Sequence, residues 1–221
     1  MEDNNNILNL SEKQLDILKE LGNIGSGNAI TALSDLLKKQ IEMSITSVQI
    51  IPFWEITQLI EKPDTEIFGI SSNMKGKESM AVLQFFPKNS ILNIIKDLSE
   101  SKNKFKNEIK SLNDLDNYSL SIISEFGNIL AGHYASSMAN LMGITLMPNS
   151  PMIVLDSFET ILNSIVAEFS KIIDYLVIIK TKIEIEILEL EGILCLIPDL
   201  DTIKKFFNAI NAQYDMNIFE K

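Results

Sequence analysis

One pattern occurs twice in this chain. Leu15-Asp16-Ile17-Leu18-Lys19-Glu20-Leu21-Gly22-Asn23-Ile24 returns 105 positions later as Leu120-Ser121-Ile122-Ile123-Ser124-Glu125-Phe126-Gly127-Asn128-Ile129. Each copy carries a glycine four residues past its Asn, Gly27 and Gly132. An internal repeat means a duplicated structural unit, and a unit of roughly 100 residues lies far above solenoid periods. The chain is therefore expected to fold as two similar halves. A polar Glu-x-x-Asn pair is kept in both copies, which packing alone does not require.

The segments around the repeat are read in the same way. Residues 11–38 predict a long helix, with Ser11 as N-cap and Gln14 completing a capping box. Strands are expected at 45–50, 67–70 and 80–86, a second helix over about 88–99, and a polar connection over about 99–116. The order then restarts: a long helix over about 117–142, strands near 151–156, 164–170, 175–187 and 192–197, and a short helix after Pro198-Asp199. Lys180 to Ile187 alternates with period two, so one face of that strand is solvated. Helix, antiparallel strands and helix, repeated, predict an α+β fold with pseudo-two-fold symmetry, an antiparallel sheet and two long helices that expose the motif. The expected organisation is one domain over 1–221, made of halves at about 11–99 and 117–210, after a mobile tail over 1–10.

Charge and cysteine content exclude several functions. A net charge of -11 argues against nucleic acid and anionic membrane, both of which need a basic face. Cys195 is the sole cysteine, which leaves no disulfide framework or cysteine metal site and fits a reducing cytoplasm. The stretch Ile172–Leu190 is too interrupted by Asp174, Lys180, Lys182, Glu184, Glu186 and Glu189 to span a membrane. No membrane insertion is expected.

Helical geometry separates the repeat into two faces. In the first helix Leu15, Leu18, Gly22, Gly25, Ala29, Ala32, Leu33 and Leu36 share one side, while Asp16, Glu20, Asn23 and Gly27 lie opposite. In the second, Ile123, Phe126, Leu130, Tyr134, Ser137 and Leu141 form the core stripe, and Ser121, Glu125, Asn128 and Gly132 lie opposite. A helix-interior glycine costs about 1 kcal/mol relative to alanine. At Gly27 and Gly132 that cost is expected to be offset by function, since a missing side chain lets another molecule approach the helix. One such face is ordinary solvation; two with the same spacing point to a binding or catalytic surface.

These residues resemble the CheC/CheX/FliY family of chemotaxis phosphatases, whose pattern is Asp or Ser, three residues, Glu, two residues, Asn, and a Pro after a gap of twenty-two. Ser121, Glu125, Asn128 and Pro151 match it throughout; Asp16, Glu20 and Asn23 match in the first half, where Thr46 holds the Pro position. Two motifs favour the CheC type, since CheX is similar with a single motif, and FliY is expected to need a further C-terminal domain. The resemblance implies an enzyme that hydrolyses the aspartyl phosphate of the response regulator CheY. Asn23 and Asn128 would orient the attacking water, Glu20 and Glu125 would dock the partner, and Asp16, Gly27, Ser121 and Gly132 would line the docking face. Pro151 would have a structural role. It implies no cofactor on this chain, with Mg²⁺ held by the response regulator. Asp156 matches a position associated with the deamidase CheD, so a non-catalytic adaptor that binds phosphorylated CheY or CheD is the alternative.

Other residues are expected to be structural. His133 lies at the edge of a core stripe without a second His for a metal or triad. Ser26 lacks both a nucleophile elbow and a P-loop lysine and is read as helix. Phe53 and Trp54 are expected in the core, and the methionines as gap-fillers.

Overall fold

The two halves exchange strands to build one sheet. The computed structural model describes residues 12–59, 62–75, 80–98, 108–170, 173, 175–186, 188–198 and 200–214. The Ser11 cap, the tail over 1–10 and residues 99–107 of the connection lie outside the described residues, as do the side chains of Leu15 and Leu18. The first half contains α1 (Glu12–Leu37), β1 (Ile41–Pro52), a 3-10 segment (Phe53–Leu59), β2 (Glu66–Lys75), β3 (Met80–Pro87) and α2 (Lys88–Leu98). The second contains α3 (Asn117–Met142), β4 (Met147–Pro148), β5 (Met152–Ser157), α4 (Phe158–Phe169), β6 (Tyr175–Ile185), β7 (Leu188–Pro198) and α5 (Leu200–Tyr214).

The seven-stranded sheet runs β1-β6-β7-β3-β2, with β4 and β5 sharing the outer edge of β2. All its pairings are antiparallel. The order is a palindrome of the duplication. The first strand of each half pairs with the second strand of the other, β1 on β6 and β5 on β2, and the third strands, β3 and β7, pair at the centre.

Helices cover both faces. On one, α1, α2, α3 and α5 enclose Ala29, Leu33, Ile95, Phe126, Leu130, Tyr134 and Phe206 against Phe68, Val82, Phe86, Val177 and Leu196. On the other, the 3-10 segment and α4 cover Leu83, Phe85, Leu176, Ile178, Cys195 and Ile197 with Phe53, Ile56, Phe158, Ile161 and Leu162. Phe53 and Phe158, at equivalent positions, fill this second layer from the two halves. Strands covered on both faces read as unbroken apolar runs, as in Tyr175–Ile179 and Leu194–Pro198. Each fully buried Leu, Ile or Phe contributes about 1.5–3 kcal/mol.

Both long helices match their predicted bounds closely. Asp116 caps α3 by accepting from Ser119 N, 2.8 Å, and Gly143 ends it at φ 64°, a left-handed conformation that glycine adopts without strain.

Three expectations are corrected. Residues 164–169 are helical and belong to α4, because Phe158, Ile161, Leu162, Ile165, Val166 and Phe169 recur at the 3.6-residue period and Ser157 caps the segment through Thr160 N. Trp54 is 69% exposed, since the 3-10 segment turns Phe53, Ile56 and Leu59 inward and Trp54 out. Met74, Met80 and Met138 do fill the core, but Met147 and Met152 are exposed on the β4–β5 edge. Among the described residues, no helix is long and apolar enough to cross a membrane.

Candidate functional site

The motif residues sit on the outer faces of α1 and α3. In α1, Gly22, Gly25, Ala29 and Leu33 are buried, and Asp16, Glu20, Asn23 and Gly27 are exposed. In α3, Ile123, Phe126, Leu130, Tyr134 and Ser137 are buried, and Ser121 and Glu125 are exposed. Asn128 and Gly132 are expected on the exposed face, opposite the core stripe, and are half-buried. The two sites are therefore alike in sequence and unequal in surroundings.

Within each copy Glu and Asn are three positions apart, which places their Cβ atoms about 5–6 Å from each other on one face. One turn beyond, a methyl group added at Gly27 or Gly132 would meet nothing within 4 Å. The surface past each Asn is open. Ile24, next to Asn23, leaves 49% of its surface in water, an apolar patch beside a polar group that hydrophobic patterning alone did not single out.

The inner faces hold the two helices together. Gly25 lets α1 press on Tyr134 and Ser137 of α3; an added Cβ would lie 3.2 Å from the Tyr134 ring. Ser26 Oγ donates to Gly22 O, 2.8 Å, so its 2.9 Å contact with Tyr134 is made by the tyrosine hydroxyl donating. Burial pushes the Tyr134 phenol up to about 12. Tyr134 lies six residues past Asn128, about 9 Å along the helix axis. The two motif helices thus pack side by side in one layer on the sheet, with α1 seated on Tyr134 of α3.

Position 46 and its counterpart 151 differ in backbone. Thr46 sits where the β1–β6 register slips by one residue between Ile45 and Ser47, and its Oγ1 donates to Lys180 O, 3.2 Å. Before this bulge β1 continues to pair from Ile41. Pro151 instead precedes β5, whose pairing with β2 begins at Met152. A proline lacks the N–H that a ladder uses, so pairing with β2 is interrupted between β4 and β5, where threonine lets β1 run on through a bulge.

The remaining candidates lie elsewhere. Asp156 is exposed on β5, its Oδ1 accepting from Ser157 N at 2.7 Å, beside a cavity of about 410 Å³ between β5 and α4. His133 is half-buried in α3, and its carbonyl accepts from Ser137 Oγ, 3.0 Å. Burial raises the Cys195 thiol, which makes it a poor nucleophile. Among the described residues no three His, Cys, Asp or Glu side chains converge as a metal site.

Comparison with known proteins agrees with this geometry. The CheC-like family model matches residues 14–44 and 119–155, which are the two motif helices and the strands that follow them. The chain is 29% identical over 205 residues to the CheY-P phosphatase CheC of Bacillus subtilis (strain 168), covering 92% of this chain and 96% of that one. It is 29% identical over 147 residues to the flagellar motor switch phosphatase FliY of the same organism, covering 36% of that protein. In fold it resembles Thermotoga maritima FliY, with a TM-score of 0.70 and 20% identity over 93% of this chain and 100% of that one. The FliM middle domain from H. pylori is also similar, with a TM-score of 0.60 and 11% identity over 90% of this chain and 99% of that one. With both copies of its repeat matched and a curated relative aligned along nearly its whole length, the chain is similar to the CheC-like family.

Proposed function

We propose that this chain is a phosphatase that hydrolyses the aspartyl phosphate of the response regulator CheY. The observation that carries this reading is the duplicated Glu-x-x-Asn pair, held outward on two helices with open surface one turn past each Asn. The name of the Bacillus subtilis relative, a CheY-P phosphatase, supports the same substrate.

An exposed helix is a suitable tool for this reaction. The response regulator brings the phosphoryl group, Mg²⁺ and its own cationic side chain, so the remaining task is to place a water in line with the phosphorus. A carboxamide both donates and accepts, so Asn23 or Asn128 holds that water by two hydrogen bonds. The water oxygen bonds to phosphorus as the bond to the aspartyl oxygen breaks, which releases inorganic phosphate and a free carboxylate. Glu20 and Glu125 pair with a partner lysine and set the depth of docking, and Asp16 and Ser121 lie one turn earlier on the same face. Gly27 and Gly132 leave room for the partner's backbone.

The experiment is the decay of phosphorylated CheY in Mg²⁺ with and without this protein. Acceleration that saturates with concentration supports the phosphatase. Unchanged decay under saturating, demonstrable binding would favour the adaptor. One observation favours a protein partner away from the helices: Asp156 projects from the edge strand β5 beside the apolar cavity, a position suited to docking CheD.

A further inference from the structure

We propose that Gln84 is a positioning residue for the second site alone, and this rests on the phosphatase reading above. Gln84 lies at the middle of β3 with 0% of its surface exposed, on the sheet face beneath the motif helices. Its Nε2 donates to Gly127 O, 2.8 Å away. Gly127 is the residue before Asn128 and two residues past Glu125, so this bond ties the sheet to the turn that bears the site. Only the amide NH₂ end can face a carbonyl, which fixes the orientation of the Gln84 side chain.

The approach is close because residue 127 has no side chain. A Cβ there would fall 2.6 Å from Ile70 Cγ2. The helix is thus seated on the strands at the motif turn, within reach of a glutamine.

Duplication provides the internal control. Pro52 pairs with Tyr175 as Ser157 pairs with Glu66, which makes β2 and β6 counterparts; Phe68 pairs with Phe86 as Val177 pairs with Leu196. Stepping two residues back along β3 and β7 makes Leu194 the counterpart of Gln84, and the two face each other across the central pair. The local two-fold axis passes between them. The second half fills its position, on β7, with a buried leucine, which shows what the fold requires there. The first half carries, on β3, an amide whose Oε1 has no hydrogen-bond partner among the described residues, a cost that packing does not explain. The bond to Gly127 is the gain, and its effect is to fix the axial rotation and height of the Glu125–Asn128 turn.

Single-site backgrounds test this. Asn23→Ala leaves the second site as the source of activity, and Asn128→Ala leaves the first. Gln84→Leu, which copies the counterpart residue, and Gln84→Met, close in volume, are placed in each background, and kcat on phosphorylated CheY is measured alongside circular dichroism. The expected result is a roughly fivefold or greater fall in kcat in the Asn23→Ala background and less than about twofold in the Asn128→Ala background. A residue that merely stabilises the fold would move both equally. An equal fall in both backgrounds, or none in either, overturns the proposal. If the Asn23→Ala/Asn128→Ala double variant keeps wild-type activity, the phosphatase site is misplaced and the role of Gln84 falls with it.

Discussion

At the scale of single residues the account rests on Asn23 and Asn128. Either substitution by alanine, on the outer face of a helix, should cost under about 0.5 kcal/mol of stability while removing most of its own site's activity. The loss from Asn128→Ala is expected to be at least as large, since its site has the complete pattern with Pro151; steady-state rates of the two variants decide the order. Glu20→Ala and Glu125→Ala should weaken binding more than turnover. Lowering the salt concentration should tighten the wild-type complex and leave these variants nearly unchanged, because a charge pair across an interface has been removed. Equal salt dependence would rule out the docking role. Gly27→Ala should raise stability by about 1 kcal/mol, as helical dihedrals and open space both accommodate the methyl, yet lower activity by crowding the partner. Thermal melts and rates on the same sample check whether the two move in opposite directions. The Glu and Asn faces were legible in the sequence, because the 3.6-residue period fixes what shares a side with Gly22 or Phe126. The exposure of Trp54 was not, since it depends on the 3-10 turn that aims Phe53, Ile56 and Leu59 inward.

At the scale of elements, the contact between α1 and α3 carries a pH signature. The unfolded chain loses the Tyr134 proton near the ordinary value of 10, whereas the folded protein holds it to about 12. The folded state is therefore favoured fully below pH 10, and that advantage fades as pH climbs toward 12. The loss attributable to Tyr134, complete only above pH 12, is about 3 kcal/mol. Urea denaturation at pH 9 and pH 11 should show a smaller drop for Tyr134→Phe than for the wild type; identical drops would contradict the assignment. Both long helices were legible almost to the residue, because the repeat marks each of them and the 3.6-residue period runs along both. The strand expected at 164–170 fails because that window cuts a longer helical segment in two. The full apolar set from Phe158 to Phe169 has helical spacing. The bulge at Thr46 was legible only as a missing proline, since register is a property of two strands.

At the scale of the whole molecule, duplication explains both the fold and its asymmetry. Strand exchange makes each half complete the other's sheet, so neither set of strands is satisfied without its sister. The repeat implied two halves and an antiparallel sheet, but the palindromic order was not legible, because pairing partners across halves leave no mark within either. Symmetry also exposes the departures from it: Gln84 against Leu194, Pro151 against Thr46, half-buried Asn128 against exposed Asn23. The account predicts two sites of unequal strength on one scaffold. The most direct test is the rate of phosphate loss from Mg²⁺-loaded phosphorylated CheY with the wild-type protein and with the folded Asn23→Ala/Asn128→Ala double variant. The account predicts saturable acceleration by the wild type and a return to the spontaneous rate with the double variant. Acceleration by the double variant equal to that of the wild type would contradict it.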